Sequence, residues 1–303
     1  MKTVKVVLCG CGGVGRNFLQ LMAERKEEVK DKYALNLELS AAVDVNGAVI
    51  NSTSPGLPVA DLVAFLKQGN EIQTFSDFGE KGISGVETIR QVKADVMVEA
   101  TPTNLIDGGV GKAHVFEAID QEMEVVSANK GPFVLFYREL FARVREKGCG
   151  LHISAATAAA LPTLDVGLTC LSGTRISSIE GILNGTTNYI LSEMKTRDTA
   201  YVTAPKQAQD LGIAETDPSY DVEGKDTANK TVLIANRLFV KAFGLKDIIV
   251  EGITRITPDD IRNATREGKI IKLIGTAEKV KGEIKLSVAP KRLDEKHPLA
   301  SVN

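Results

Sequence analysis

Tryptophan is absent, histidine occurs three times and cysteine four times, and aromatic residues make up only 5% of the 303 positions. Cys9 and Cys11 bracket a single glycine, a poor geometry for a disulfide, and no second Cys or His cluster completes a metal site around them. Reduced thiols of a cytoplasmic protein fit this usage. Neither charge sign dominates, with 37 Lys and Arg against 39 Asp and Glu, so no basic footprint for nucleic acid is present. No apolar run reaches the roughly 18 residues that span a bilayer. The N-terminus MKTVKVVLCG runs straight into a strand-like segment without a cleavable signal pattern. What remains is an ordinary globular composition, long enough for two domains.

The first half reads as a nucleotide-binding domain. Val4 to Cys9 is a β-branched apolar run, as expected of a buried parallel strand. Gly10-Cys11-Gly12-Gly13-Val14-Gly15 follows at once and matches G-x-G-x-x-G, and Phe18, Leu19 and Met22 then recur at helical spacing. Glycine lets the backbone turn tightly against a pyrophosphate, and the next helix presents its free N–H groups and positive end. A second strand, Leu37 to Val43, ends at Asp44, which can accept the ribose hydroxyls of NAD and repels the 2′-phosphate of NADP. The spacing from Gly10 exceeds the usual 20 or so residues, and the charged stretch Glu24 to Lys32 accounts for the excess as an extended helix and loop. Asp95 to Ala100 reads as a strand ending in Thr101-Pro102, and Glu124 to Ser127 as another ending in Asn129-Lys130. Phe133 to Lys147 follows as a helix. Alternating strands and helices predict a doubly wound parallel (Rossmann) sheet. Ligands bind such sheets at the carboxyl ends of the strands, where Gly10–Gly15, Asp44, Thr101 and Asn129-Lys130 all fall.

Around Gly148 to Gly150 the pattern changes, which divides the chain into a dinucleotide-binding domain, 1–150, and a second, α+β domain, 151–303. Arg175 to Leu183 alternates like a strand with one solvated face. Asn184-Gly185-Thr186-Thr187-Asn188 is a polar turn before a helix from Tyr189, and it suits a helix cap and a binding site equally. Gly212 to Lys230, GIAETDPSYDVEGKDTANK, gathers Glu215, Asp217, Asp221, Glu223, Asp226 and Lys230. Asp221 is a natural N-cap for a helix running to about Phe243, with Gly244 as its stop. On that helix Asp226 and Lys230 share a face at a spacing of four. Such a pair is often only a surface ion pair, but on a helix continuing as TVLIANRLF it can also serve as a proton donor and acceptor. None of His114, His152 and His297 falls in this cluster, so a histidine-based mechanism is not expected.

Taken in order, GCGGVG, EATPTN, SANKGP, LNGTTNYIL and GIAETDPSYDVEGKDTANK resemble the homoserine dehydrogenase family over essentially the whole chain. The resemblance implies a reversible NAD- or NADP-dependent oxidation of homoserine to aspartate 4-semialdehyde, on the route to threonine and methionine. It implies that Lys230 transfers the proton, that Glu215 and Asp226 bind the amino acid with support from Asp221, and that Thr186 faces the substrate. It places Lys130 between cofactor and substrate and Gly212 against the nicotinamide half. It further implies a monovalent cation such as Na+ on backbone carbonyls of Ser154, Thr157, Ala159 and Leu161, in a segment with Ser where many members carry Glu and Ala where Gly is usual. A homodimer built through the second domain is expected. So is a further strand, glycine-rich turn and helix beyond Asn303. The rival readings are a related amino-acid semialdehyde reductase and a non-catalytic nucleotide-binding protein.

Overall fold

A computed structural model describes residues 1–197 and 217–302, in two compact units, Met1–Pro162 and Thr163–Asn303. In the first unit, β1 (Lys2–Cys9) buries Val6 to Cys9 on both faces. A strand without a polar face belongs in the middle of a sheet with helices on both sides. β1 accordingly pairs in parallel with β2 (Leu35–Asp44) on one side and β5 (Val96–Glu99) on the other. β6 (Glu124–Ser127) and β7 (Leu151–His152) continue the parallel run beyond β5. Two short antiparallel strands, β3 (Gly47–Ile50) and β4 (Gly79–Lys81), finish the opposite edge, giving the order β4-β3-β2-β1-β5-β6-β7. The chain reverses its direction of travel across the sheet at β1, so the carboxyl ends of β1 and β5 flank the switch point where such sheets bind ligands.

The helices of this unit are α1 (Gly13–Glu24), α2 (Lys26–Tyr33), α3 (Val59–Lys67), α4 (Gly85–Gln91), α5 (Gly109–Asp120), α6 (Gly131–Leu135) and α7 (Tyr137–Lys147). The charged stretch expected to lengthen the first helix is a separate helix, α2, which buries none of its residues. The single helix expected from Phe133 to Lys147 is two, because the backbone leaves helical geometry at Phe136 (φ −122°). The unit also extends past the boundary expected at 150. Leu151 and His152 pair with Val125 and Val126 as the seventh strand, which keeps them and the following α8 (Ser154–Ala158) with the first sheet.

In the second unit, α9 (Thr163–Asp165) runs into a π-helical turn at Val166–Cys170. β8 (Ser178–Gly181), shorter than the Arg175–Leu183 expected, leads to α10 (Gly185–Arg197). Then come α11 (Ser219–Val222), α12 (Lys225–Phe239), β9 (Ile248–Val250), α13 (Pro258–Arg266), β10 (Lys269–Val280) and β11 (Glu283–Asp294). β10 and β11 form a long antiparallel hairpin closed by Lys281-Gly282, both with positive φ (52° and 92°), as a type I′ turn requires. The sheet order is β8-β10-β11-β9. α12 lies on this sheet, packing Val232 and Ala235 into one core with Leu273, Leu286 and Val288. Asp221 is therefore not the cap of a long helix. It sits inside α11, and Gly224 in the left-handed region separates α11 from α12. α12 also stops at Phe239 rather than Phe243, since Asn236 turns back to bond both the N–H (2.7 Å) and the carbonyl (2.9 Å) of Phe243.

Lys272, on β10, is almost wholly buried, and burial pulls its ammonium below the ordinary lysine value. Three neutral oxygens accept from it, Asn188 Oδ1 (2.8 Å), Ser192 Oγ (3.2 Å) and the Val302 carbonyl (2.5 Å), which ties the last described residues to the sheet. Among the described residues, no helix is long and apolar enough to cross a membrane.

Candidate active site

In the first unit the glycine motif divides into two kinds of position. Gly10 takes φ +96°, and a Cβ there would lie 2.7 Å from the backbone of Ala100 and Thr101. A Cβ on Gly15 would stand 1.9 Å from the Gly10 carbonyl, so these two glycines serve the turn's own packing. Gly12 and Gly13 face nothing within 4 Å. Together with Val14, which is exposed, they form the start of α1, whose N-cap Gly12 offers no side chain to the first-turn N–H groups. Open backbone at an uncapped helix N-terminus is what an approaching pyrophosphate needs.

Asp44 ends β2 and accepts a hydrogen bond from the Val45 N–H (2.9 Å). It lines a cavity of about 280 Å³ with Arg16, Asn46, Glu71 and Gln73 among others. The Arg16 guanidinium is already engaged by the carbonyls of Cys11 (2.9 Å) and Leu66 (3.2 Å), while two carboxylates, Asp44 and Glu71, share the cavity wall. Cys11 beneath it is buried. Burial first, and the Asp44 charge second, push its thiol up to about 12.

The remaining cofactor-side candidates meet at the ends of β5 and β6. The Thr101 N–H and hydroxyl both donate to Oε1 of Glu99, the N–H at 2.8 Å. Asn129 Nδ2 reaches Thr101 Oγ1 (3.1 Å) and the Pro102 carbonyl (3.4 Å), and its Oδ1 accepts the Gly131 N–H (3.0 Å). Lys130, half-buried, leads into α6, with its N–H 3.4 Å from Thr103 Oγ1. Gly10 N–H bonds the Val43 carbonyl (2.8 Å), so β1, β2, β5 and β6 bring Gly10, Asp44, Thr101 and Asn129 to one end of the sheet. Glu99, fully buried beneath this ledge, was not anticipated from the sequence, because a Glu inside a strand motif carries no signal of burial.

In the second unit, Lys230 Nζ lies 2.7 Å from Asp226 Oδ2 and donates to the Leu183 carbonyl at 2.8 Å. The ammonium is thus held between the first turn of α12 and the chain entering α10. Asn184 joins the pieces. Its Nδ2 donates to Asp221 Oδ1 (2.7 Å) and Asp226 Oδ2 (3.1 Å), while its Oδ1 accepts the Thr187 N–H (2.9 Å). The polar turn is therefore both a helix cap and part of the cluster, and the helix begins at Gly185 rather than Tyr189. Asp226 and Thr186 are buried. Tyr220, on α11, receives a hydrogen bond from Asn229, and burial followed by the Asp226 charge raises its phenol well above the ordinary value. Asn184 and Tyr220 are the members of this cluster that spacing on α12 alone does not disclose. Gly212 and Glu215 lie outside the described residues. A cavity of about 580 Å³ in this unit runs along α10, α13 and the start of β10, and neither Lys230 nor Asp226 is among its lining residues.

Of the residues expected to hold a cation, Ser154 and Thr157 lie on α8, where the Thr157 hydroxyl donates to the Ser154 carbonyl (2.8 Å). Ala159 follows the helix with φ +51°, and Leu161 N–H bonds the Ala158 carbonyl (2.9 Å).

Residues 10–154 match the NAD-binding domain of homoserine dehydrogenase, and residues 162–303 match the homoserine dehydrogenase family. The homoserine dehydrogenase of Methanocaldococcus jannaschii is 37% identical over 89% of this chain and 79% of its own. The NAD(+)-dependent homoserine dehydrogenase of Pseudomonas canavaninivorans is 35% identical over 100% of this chain and 86% of its own. The chain belongs to the homoserine dehydrogenase family. A homoserine dehydrogenase structure from Thiobacillus denitrificans superposes with a TM-score of 0.84 at 29% identity, covering 100% of this chain and 64% of that one. Both halves of the motif set that suggested a homoserine dehydrogenase thus fall within matched domains.

Asn184 offers a test of how the chain holds its acidic cluster. Asn and Asp are equally good caps, and loss of either to Ala costs about 1 kcal/mol. Asn184→Asp is nonetheless expected to destabilise the protein more than Asn184→Ala, because it sets a third carboxylate against Asp221 and Asp226. Chemical denaturation of the two variants measures this. An Asp variant as stable as wild type would show that the bridge to the two acids is unimportant.

Proposed function

We propose that this protein is a cytoplasmic, NAD-dependent homoserine dehydrogenase that interconverts L-homoserine and L-aspartate 4-semialdehyde in threonine and methionine biosynthesis. The Lys230–Asp226 pair carries this reading. Bound NAD supplies the hydride acceptor for homoserine and, once reduced, the hydride donor for the aldehyde. The glycine turn, Asp44, Thr101, Pro102, Asn129 and Lys130 would hold it, with Gly212, and the open Gly12–Gly13 backbone fits a pyrophosphate. In the oxidising direction Lys230, as the neutral amine, accepts the hydroxyl proton of homoserine and becomes the ammonium. In the reducing direction it returns that proton while its charge stabilises the oxygen on which negative charge develops. Asp226 orients the Lys230 amine, and with Glu215 it supplies carboxylate to the substrate ammonium, Asp221 being linked to it through Asn184. Thr186 would face the substrate from the start of α10.

NAD is preferred over NADP in this reading because Asp44 and Glu71 give the cavity at the end of β2 two negative charges, and the Arg16 guanidinium beside them is already engaged by backbone. The name of the Pseudomonas canavaninivorans relative points the same way. A monovalent cation on the carbonyls of Ser154, Thr157, Ala159 and Leu161 belongs to the same reading. The left-handed turn at Ala159 supports it, since it swings successive carbonyls off the helix axis, and a carbonyl oxygen such as that of Ser154 keeps a second lone pair beside its hydrogen bond. A homodimer through the second unit is supported by the edge strand β9, which leaves Ile249 77% exposed.

Kinetics, light scattering and thermal melting test these statements. Lys230→Ala is expected to lower kcat at least about a hundredfold with NAD affinity nearly unchanged, and near-normal turnover would sink the assignment. Asp44→Ser is expected to raise kcat/KM with NADP relative to NAD; a wild-type enzyme that already prefers NADP would remove Asp44 as the ribose reader. Light scattering is expected to give twice the 32.5 kDa chain mass, with a melting temperature higher in sodium than in choline chloride. A monomer, or identical melting in the two salts, would count against the dimer or the cation respectively.

A further inference from the structure

Beneath the cofactor-side ledge, four donors converge on the carboxylate of Glu99. They are the Thr101 N–H (2.8 Å), the Thr101 hydroxyl, Asn129 Nδ2 (3.4 Å) and His114 Nδ1 (2.9 Å). Glu99 is 0% exposed and His114 6% exposed. The first three donors all act on Oε1 and belong to the ledge itself. His114 alone acts on Oε2, and it comes from a different element, α5. His114 Nδ1 and Glu99 Oε2 share this hydrogen bond, which the imidazole donates when the carboxylate is ionised.

The surroundings are shaped for this contact. Gly85, which opens α4, lies so close that a Cβ would sit 2.1 Å from His114 Nε2. Gly111, one turn before His114 on α5, lets that helix approach until a Cβ would be 2.4 Å from Asn129 Nδ2 and 3.3 Å from Glu99 Oε1. Two small positions on two helices thus make room for one imidazole and one amide.

We infer that His114 is a positioning residue for cofactor binding: by fixing Oε2 of Glu99 it sets the carboxylate plane that holds Thr101 and Asn129 in place. The inference rests on reading Thr101 and Asn129 as part of the NAD site. With Oε1 met by the ledge and Oε2 by His114, the carboxylate is held at both oxygens and its plane is fixed, so Oε1 stays where the Thr101 N–H and the Asn129 amide meet it. Without His114, Oε2 loses this partner inside the protein, the carboxylate tilts or recruits water to satisfy it, and the ledge loses its fixed height at the end of β5. Cys9 lies beside the pair, with its Sγ and the ligating atoms of Glu99 and His114 all within 4.8 Å of one another. A metal there would have to displace the 2.9 Å hydrogen bond, and the other ring nitrogen of His114 already backs onto Gly85.

The test is NAD titration and steady-state kinetics on the full chain for wild type, His114→Leu, His114→Asn and Asn129→Ala, with metal analysis of each protein. Loss of one hydrogen bond to a charged group predicts that His114→Leu weakens NAD binding about tenfold, with KM for homoserine at saturating NAD unchanged. His114→Asn, whose amide nitrogen can stand where Nδ1 stands, is expected to recover most of the affinity. If the leucine variant does not fold, His114→Ser takes its place with the same expected loss. NAD affinity within twofold of wild type in a folded Leu or Ser variant overturns the inference. So does an Asn variant no better than Leu, or a rise in homoserine KM that matches the loss for NAD. Stoichiometric metal in the wild type that is missing from the Leu variant would overturn it in favour of a metal centre. Unchanged NAD affinity in Asn129→Ala would instead overturn the reading of the ledge on which the inference stands.

Discussion

A carboxylate withdrawn from water must be met by donors or cations, because an unpaired buried charge costs several kcal/mol. Each unit of this protein answers that constraint at the point where its candidate site is built. In the first unit the most deeply buried of the described acids is Glu99, met by Thr101, Asn129 and His114. In the second it is Asp226, met by Lys230 and Asn184. In both, the groups that satisfy the acid include residues proposed above to hold cofactor or substrate. Holding the acid and holding the site are therefore one task, and the side chains involved have little freedom to move.

That coupling explains how single residues serve two ends. Asn184 caps α10 through the Thr187 N–H and, through its amide, bridges Asp221 and Asp226. The start of the helix is consequently fixed relative to the acids on α11 and α12. Lys230 gains from the same arrangement, because the Leu183 carbonyl it contacts immediately precedes that cap. A lysine with four rotatable side-chain bonds is poorly placed by itself. Here a carboxylate and a carbonyl, from separate elements, define one position for its amine.

The glycine motif shows a similar division. Gly10 and Gly15 are needed by the chain's own close contacts, and Gly12 and Gly13 leave backbone open. The first pair makes the turn possible and the second makes it usable. Residues 10–154, which include this turn, match the NAD-binding domain of homoserine dehydrogenase.

The strands β1, β2, β5 and β6, the glycine turn between β1 and α1, and the pairing of Asp226 with Lys230 were all legible in the sequence. Each depends on local periodicity or on a spacing within one element, and a buried parallel strand or an i, i+4 pair writes itself into adjacent residues. Only the tertiary structure decided the breaks and the partners. α11 and α12 separate at Gly224, and α12 ends where Asn236 captures Phe243, contacts that compete with helix propensity and cannot be weighed from it. The boundary past 150 was set by the pairing of Leu151 and His152 with β6, a pairing between segments distant in sequence. Glu99 and His114 look unremarkable in EATPTN and GKAHVF, and no spacing rule joins them. Their meeting follows from α5 packing across the end of β5, where the absence of a side chain at Gly85 and Gly111 leaves space for an imidazole to reach a buried acid.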